Sequence, residues 1–79
     1  MKKLFSKSAK KSIERLDSST KKRIRQGINE LPCGDIKKLK KYKLLYRLRI
    51  GDWRIIFIMN ENEIFIEDIL PRGEAYKYY

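Results

Sequence analysis

The sequence predicts an α+β fold: a small antiparallel β-sheet with an N-terminal α-helical hairpin packed on one of its faces. Three observations predict it. Two early stretches repeat apolar residues at i, i+4 and i+7, which is helical spacing. Three later runs rich in β-branched and aromatic residues are separated by short turn sequences. No repeat, linker or low-complexity segment divides the 79 residues, so one domain over 1–79 is expected.

Leu4 and Phe5 read as a short first strand. Ala9, Ile13 and Leu16 then set the stripe of a first helix, with Ser6 as its N-cap. Asp17-Ser18-Ser19 ends that helix, and Ser18 or Ser19 is placed to cap the next. Ile24, Ile28 and Leu31 form the second stripe, which stops before Pro32 because the residue preceding a proline disfavours helix. Residues 34–43 read as a basic loop. Strands are expected over 43–50, 53–59 and 63–70, with Gly51-Asp52 and Asn60-Glu61-Asn62 as turns. Pro71 ends the last strand, and 72–79 read as a tail carrying Tyr76, Tyr78 and Tyr79.

The chain carries 20 Lys and Arg against 10 Asp and Glu, a net charge of +10. The excess lies in residues 1–43, with 15 basic and 4 acidic side chains, against 5 and 6 in residues 44–79. A field of this size attracts polyanions, so nucleic acid or an acidic protein is the expected partner. A lone Cys33 excludes an internal disulfide and suits a reducing compartment. The start has basic residues but no apolar stretch after them, so a secretory signal is not expected. The longest apolar run, Ile55 to Met59, is far too short to span a bilayer. A cytoplasmic protein with no membrane partner is expected.

The most informative stretch is YRLRIGDWRIIF, Tyr46 to Phe57. A two-residue turn places Arg49 opposite Arg54, Leu48 opposite Ile55 and Ile50 opposite Trp53. Alternation then puts Arg47, Arg49 and Arg54 on one face, and Tyr46, Leu48, Ile50, Trp53, Ile55 and Phe57 on the other. Like charges directly opposite destabilise a sheet by a few tenths to about 1 kcal/mol. An anion between the arginines would offset that repulsion. Taken singly, Arg47 or Arg49 is explained as an ordinary solvent-face residue, and Trp53 and Phe57 read as core. A turn of two or four residues at Asn60–Asn62 sets Phe65, Glu67 and Ile69 on the arginine face with Ile56 and Ile58; three residues would reverse this.

The chain has no histidine, which removes Ser-His-Asp and Cys-His triads and any imidazole acid–base pair. It has no P-loop glycine pattern and no metal-ligand spacing, so no cofactor or metal is implied. Arg, Lys, Tyr and Glu can still serve RNA cleavage, because the 2′-OH is a nucleophile supplied by the substrate. The protein need only align the chain, stabilise the phosphorane charge and move protons. Arginine forks match phosphate oxygens bidentately, and tyrosines can stack a splayed base. The lysines from Lys37 to Lys43 are either a solvated loop or a grip on an RNA backbone.

The combination of GDIKKLKKYKLLYRLRIGDWRIIF with IEDILPRGEAY resembles the RelE/ParE superfamily of toxins from type II toxin–antitoxin systems, on its RelE branch. The likeness is strong from Gly34 to Tyr76 and weaker over the helices. It implies a RelE-like fold and a ribosome-dependent endoribonuclease that cuts mRNA in the ribosomal A site by 2′-OH attack. It also implies a cognate antitoxin as partner and ribosomal RNA as a contact of the basic helices. The family's basic strand residues match Arg47 and Arg49, with Lys41 and Lys43 as further phosphate contacts. The arginine after the turn matches Arg54. The family pattern H-R-R-x-x-Y looks like Pro71 to Tyr76, which assigns Arg72 and Tyr76 to catalysis. There Pro71 replaces the histidine and Gly73 the second basic residue, so another group must move the proton. Glu67 is the nominee, its alternative being an ordinary cross-strand ion-pair partner. Two other outcomes stay open: a ParE-like inhibitor of DNA gyrase without nuclease activity, and a non-toxic member acting in a repressor complex with its antitoxin.

Overall fold

The computed structural model describes residues 1–39 and 44–79, apart from the side chains of Tyr76 and Tyr78. Lys41 and Lys43 therefore lie outside the described residues. In chain order the elements are β1 (Lys2–Phe5), α1 (Lys7–Glu14), α2 (Ser18–Asn29), β2 (Asp35–Lys38), β3 (Leu45–Ile50), β4 (Trp53–Met59), β5 (Glu63–Pro71) and α3 (Arg72–Tyr78). The sheet order is β1-β5-β4-β3-β2.

The expected meander of β3, β4 and β5 is present and antiparallel, with Arg49 paired to Arg54 and Leu48 to Ile55. Two strands extend it. The basic loop contains β2, antiparallel to β3, because Ile36 alternates inward opposite Leu48. At the other edge β1 runs parallel to β5, so the sheet is mixed rather than wholly antiparallel.

Ser6 caps α1 as expected, accepting from the Ala9 N–H at 3.0 Å, and its hydroxyl donates to the Glu67 carbonyl. The cap of α2 is Asp17 rather than Ser18 or Ser19; its carboxylate accepts from the Thr20 N–H at 3.2 Å. Leu31 is buried as its spacing predicts, but lies two residues past the helix end. Ala9 and Ile13 of α1 and Ile24 and Ile28 of α2 meet Leu48, Ile55, Phe57, Ile64, Ile66 and Ile69 of the sheet. Gly27 permits the close approach of α2: a Cβ there would stand 2.3 Å from Cδ1 of Ile50. Tyr46 and Phe57 stack on this face with ring centroids 5.6 Å apart.

Two departures decide the other face. Register is shifted between β4 and β5: Ile58 pairs with Phe65 and Phe57 with Ile66, but Ile56 pairs with Asp68, leaving Glu67 as the extra residue. The bulge re-phases the strand. Ile69 therefore joins the helix-covered core instead of the arginine face, and Leu70 takes its place opposite Arg54. The second departure is α3, where only a tail was expected. Arg72 donates its backbone N–H to the Asp52 carbonyl at 2.8 Å, tying the start of α3 to the β3–β4 turn. On the face away from the helical hairpin, Ile56 (1% exposed), Leu45 and Ala75 of α3 are all buried. No helix among the described residues is long and apolar enough to cross a membrane.

Candidate functional site: a cationic hollow on the open face

Gly51 takes φ of +55° at the first turn position, and that backbone closes the two-residue hairpin. The turn sets Arg49 and Arg54 side by side, and alternation adds Arg47 to the same face. Together with β2 and α3 they line a hollow of about 390 Å³. Its walls are Lys37, Lys38, Leu39, Arg47, Arg49, Arg54, Ile56, Ala75 and Tyr79. Five of these nine residues are cationic and none is acidic, so the field inside favours an anion.

The three arginines are held differently. Arg54 is only 6% exposed, and its Nη1 donates to the carbonyls of Gly51 at 2.9 Å and Trp53 at 3.0 Å. It thus staples its own turn, which relieves the repulsion from Arg49 without any ligand. Among the described residues, no hydrogen bond engages the Nε and Nη2 hydrogens of its five-donor fork. Arg49 is exposed. Arg47 is the unusual one. Among the described residues its Nη1 is buried with no hydrogen-bond partner, and it forms a long ion pair with Oδ1 of the exposed Asp35, 3.9 Å away. That is too long for a hydrogen bond. A buried donor left unsatisfied costs about 1–3 kcal/mol.

The remaining sequence candidates are dispersed. Arg72 opens α3, exposed and outside the lining of the hollow. Tyr76 follows it by one turn of the same helix, its side chain outside the description. Glu67 was expected beside Arg54, but the bulge moves it. It lines an adjoining hollow of about 310 Å³ with Leu44, Leu45, Ile58 and Tyr79. Two residues without a motif signal stand out instead. Asp68 is half-buried, accepting from the Tyr79 hydroxyl at Oδ2 and from the Ser8 hydroxyl at Oδ1 at 2.9 Å. Tyr79 is common to both hollows. Only the bulge, invisible in the pattern of apolar residues, brings Asp68 to this face.

A short mixed sheet with a helical pair packed on one face is the architecture of a known class. The family model of the ParE toxin of type II toxin–antitoxin systems matches residues 4–76. The chain belongs to that family, within the RelE/ParE superfamily. It is 33% identical to Toxin RelE3 of Methanocaldococcus jannaschii, over all of this chain and 99% of that protein. Two solved structures agree in fold and sequence. One is the RelB–RelE antitoxin–toxin complex from Methanococcus jannaschii, with TM-score 0.80 and 31% identity over 96% of this chain and 98% of the other. The second is the archaeal RelE–RelB complex from Pyrococcus horikoshii OT3, with TM-score 0.73 and 28% identity over 94% and 97%. The protein is a RelE-branch toxin of a type II toxin–antitoxin system.

Proposed function

We propose that this toxin is a ribosome-dependent mRNA endoribonuclease that cleaves by attack of the 2′-OH on the adjoining phosphate, without a metal, and that a cognate antitoxin neutralises it. The observation that carries the reading is the hollow itself, five of whose nine lining residues are cationic with no carboxylate among them. Its arginines suit a phosphodiester, whose two non-bridging oxygens match the plane of an arginine fork. Arg47 and Arg49 grip the scissile and flanking phosphates. Arg54, fixed by its turn carbonyls, contributes Nε and Nη2 to the charge that builds on the phosphorane. The family resemblance assigns Arg72 of α3 to charge and Tyr76 to stacking or proton transfer. Lys41 and Lys43 extend the phosphate track, and the exposed lysines of α1 and α2 contact ribosomal RNA. The antitoxin assignment is supported by the two archaeal relatives, whose structures are toxin–antitoxin complexes.

Induction in a bacterial host followed by mapping of mRNA 5′ ends tests the reading. In-frame cuts within translated messages are expected, and they disappear with Arg49→Ala. A second reading, gyrase inhibition, is favoured by the ParE description of the matching family model. It predicts intact messages with SOS induction.

A further inference from the structure

With histidine absent, the cleavage site needs a proton acceptor, and Glu67 lines only the adjoining hollow. Asp68 occupies a more telling place. Lys37, Arg47, Ile56 and Asp68 pair successively across four strands, forming one row on the open face. Two interstrand steps of about 4.8 Å separate the backbones of Arg47 and Asp68, roughly the span of one nucleotide's phosphate and ribose. Ile56, between them, is buried, so the floor joining the two groups is dry and apolar. The Asp68 carboxylate is oriented from two sides. The Ser8 hydroxyl fixes Oδ1 at 2.9 Å, while Oδ2 receives the phenolic hydroxyl of Tyr79, a residue of the arginine hollow's wall.

We infer that Tyr79 and Asp68 are the proton-transfer pair of this site. Tyr79 is the catalytic residue that touches the ribose, and Asp68 is the positioning residue that takes the proton onward. The inference rests on the nuclease reading. As O2′ bonds to phosphorus, its proton passes to the Tyr79 oxygen and the phenol's own proton passes to Oδ2 of Asp68. The P–O5′ bond breaks, O5′ takes a proton from water, and Asp68 returns its proton to the hydroxide so formed. The net change is a transesterification giving a 2′,3′-cyclic phosphate and a 5′-OH. A positioned acid–base group of this kind contributes about 10²–10⁴-fold.

Cleavage of a defined message on programmed ribosomes, with kcat and KM measured separately, tests this. Tyr79→Phe is expected to lower kcat by about 10²-fold or more with KM within roughly twofold. Asp68→Asn keeps an oxygen that accepts the phenol but cannot take its proton. It is expected to lose at least about tenfold in kcat, and Asp68→Glu to recover part of the loss. Added to Tyr79→Phe, Asp68→Asn is expected to cost nothing more, because the two act in one relay. Wild-type kcat in Asp68→Asn, or losses that multiply independently, would overturn the pair while leaving the nuclease reading intact. A wild-type protein that leaves the message uncut would take down both.

Discussion

The two faces of this sheet are made from the same strands and are built to opposite ends. On the helix-covered face, Leu48, Ile55, Phe57, Ile64, Ile66 and Ile69 meet the stripes of α1 and α2 with apolar contacts alone. On the open face, the alternate residues of β3 and β4 present Arg47, Arg49 and Arg54. There a short helix must fold back before Ile56 and Leu45 are buried. Because side chains alternate, no strand can serve one face without shaping the other. The contrast teaches where a small chain accepts instability. Total stabilities of about 5–15 kcal/mol are usual for a domain, so an unsatisfied buried guanidinium hydrogen is a sizeable concession. It falls on the face proposed to meet an anion, and the helix-covered face has to offset it.

The comparison breaks most visibly if the helix-covered face is weakened. Phe57→Ala is expected to cost about 3–5 kcal/mol, since the ring is fully buried beneath both helices. A denaturant midpoint measured by circular dichroism checks this, and most of the chain is expected to unfold near physiological temperature. On the open face, Arg49→Ala is expected to leave the denaturant midpoint within about 0.5 kcal/mol of wild type, because the residue is exposed. The same change is expected to lower cleavage on programmed ribosomes by about 10²-fold, read by primer extension. Stability and activity thus separate by face. The smallest effect is at Asp17. The Thr20 hydroxyl, and next the Thr20 N–H, hold its carboxyl below the ordinary 3.8. A lowered folded-state value means the contribution is present above pH 3.8 and is lost as pH falls through the depressed value. The acid limb of a Tm-against-pH curve is expected to flatten in Asp17→Asn, which keeps the cap but not the charge.

Much of this was legible in the sequence. The two helical stripes, the Gly51-Asp52 turn and its facing arginines follow from spacing alone, because each depends on near neighbours in the chain. Three features did not show. Strand β2 carries Ile36 as its one inward apolar residue among lysines, and a single point gives no period. The bulge at Glu67 is a matter of pairing between strands, so it moved Ile69 inward and exchanged Glu67 for Asp68 without any local sign. Helix α3 opens at Arg72 without a side-chain cap and is held by the distant Asp52 carbonyl. The resemblance to the family supplied Arg72 and Tyr76, whereas hydrogen bonding across the fold supplied Asp68 and Tyr79.

The claim that the open face carries an anion site at a cost in stability is tested most directly by melting wild type and Arg47→Met with and without a short RNA. The RNA carries a single 2′-deoxy nucleotide at the scissile position, which removes the nucleophile. Without RNA, Arg47→Met is expected to melt at or above wild type, because a half-buried guanidinium whose Nη1 lacks a hydrogen bond, and whose ion pair with the exposed Asp35 is long, has been replaced by an apolar chain of similar length. At a concentration about 100 times its Kd, the RNA is expected to stabilise wild type by roughly 2.7 kcal/mol and the variant far less. A variant that melts well below wild type alone, and gains as much from the RNA, would contradict the account.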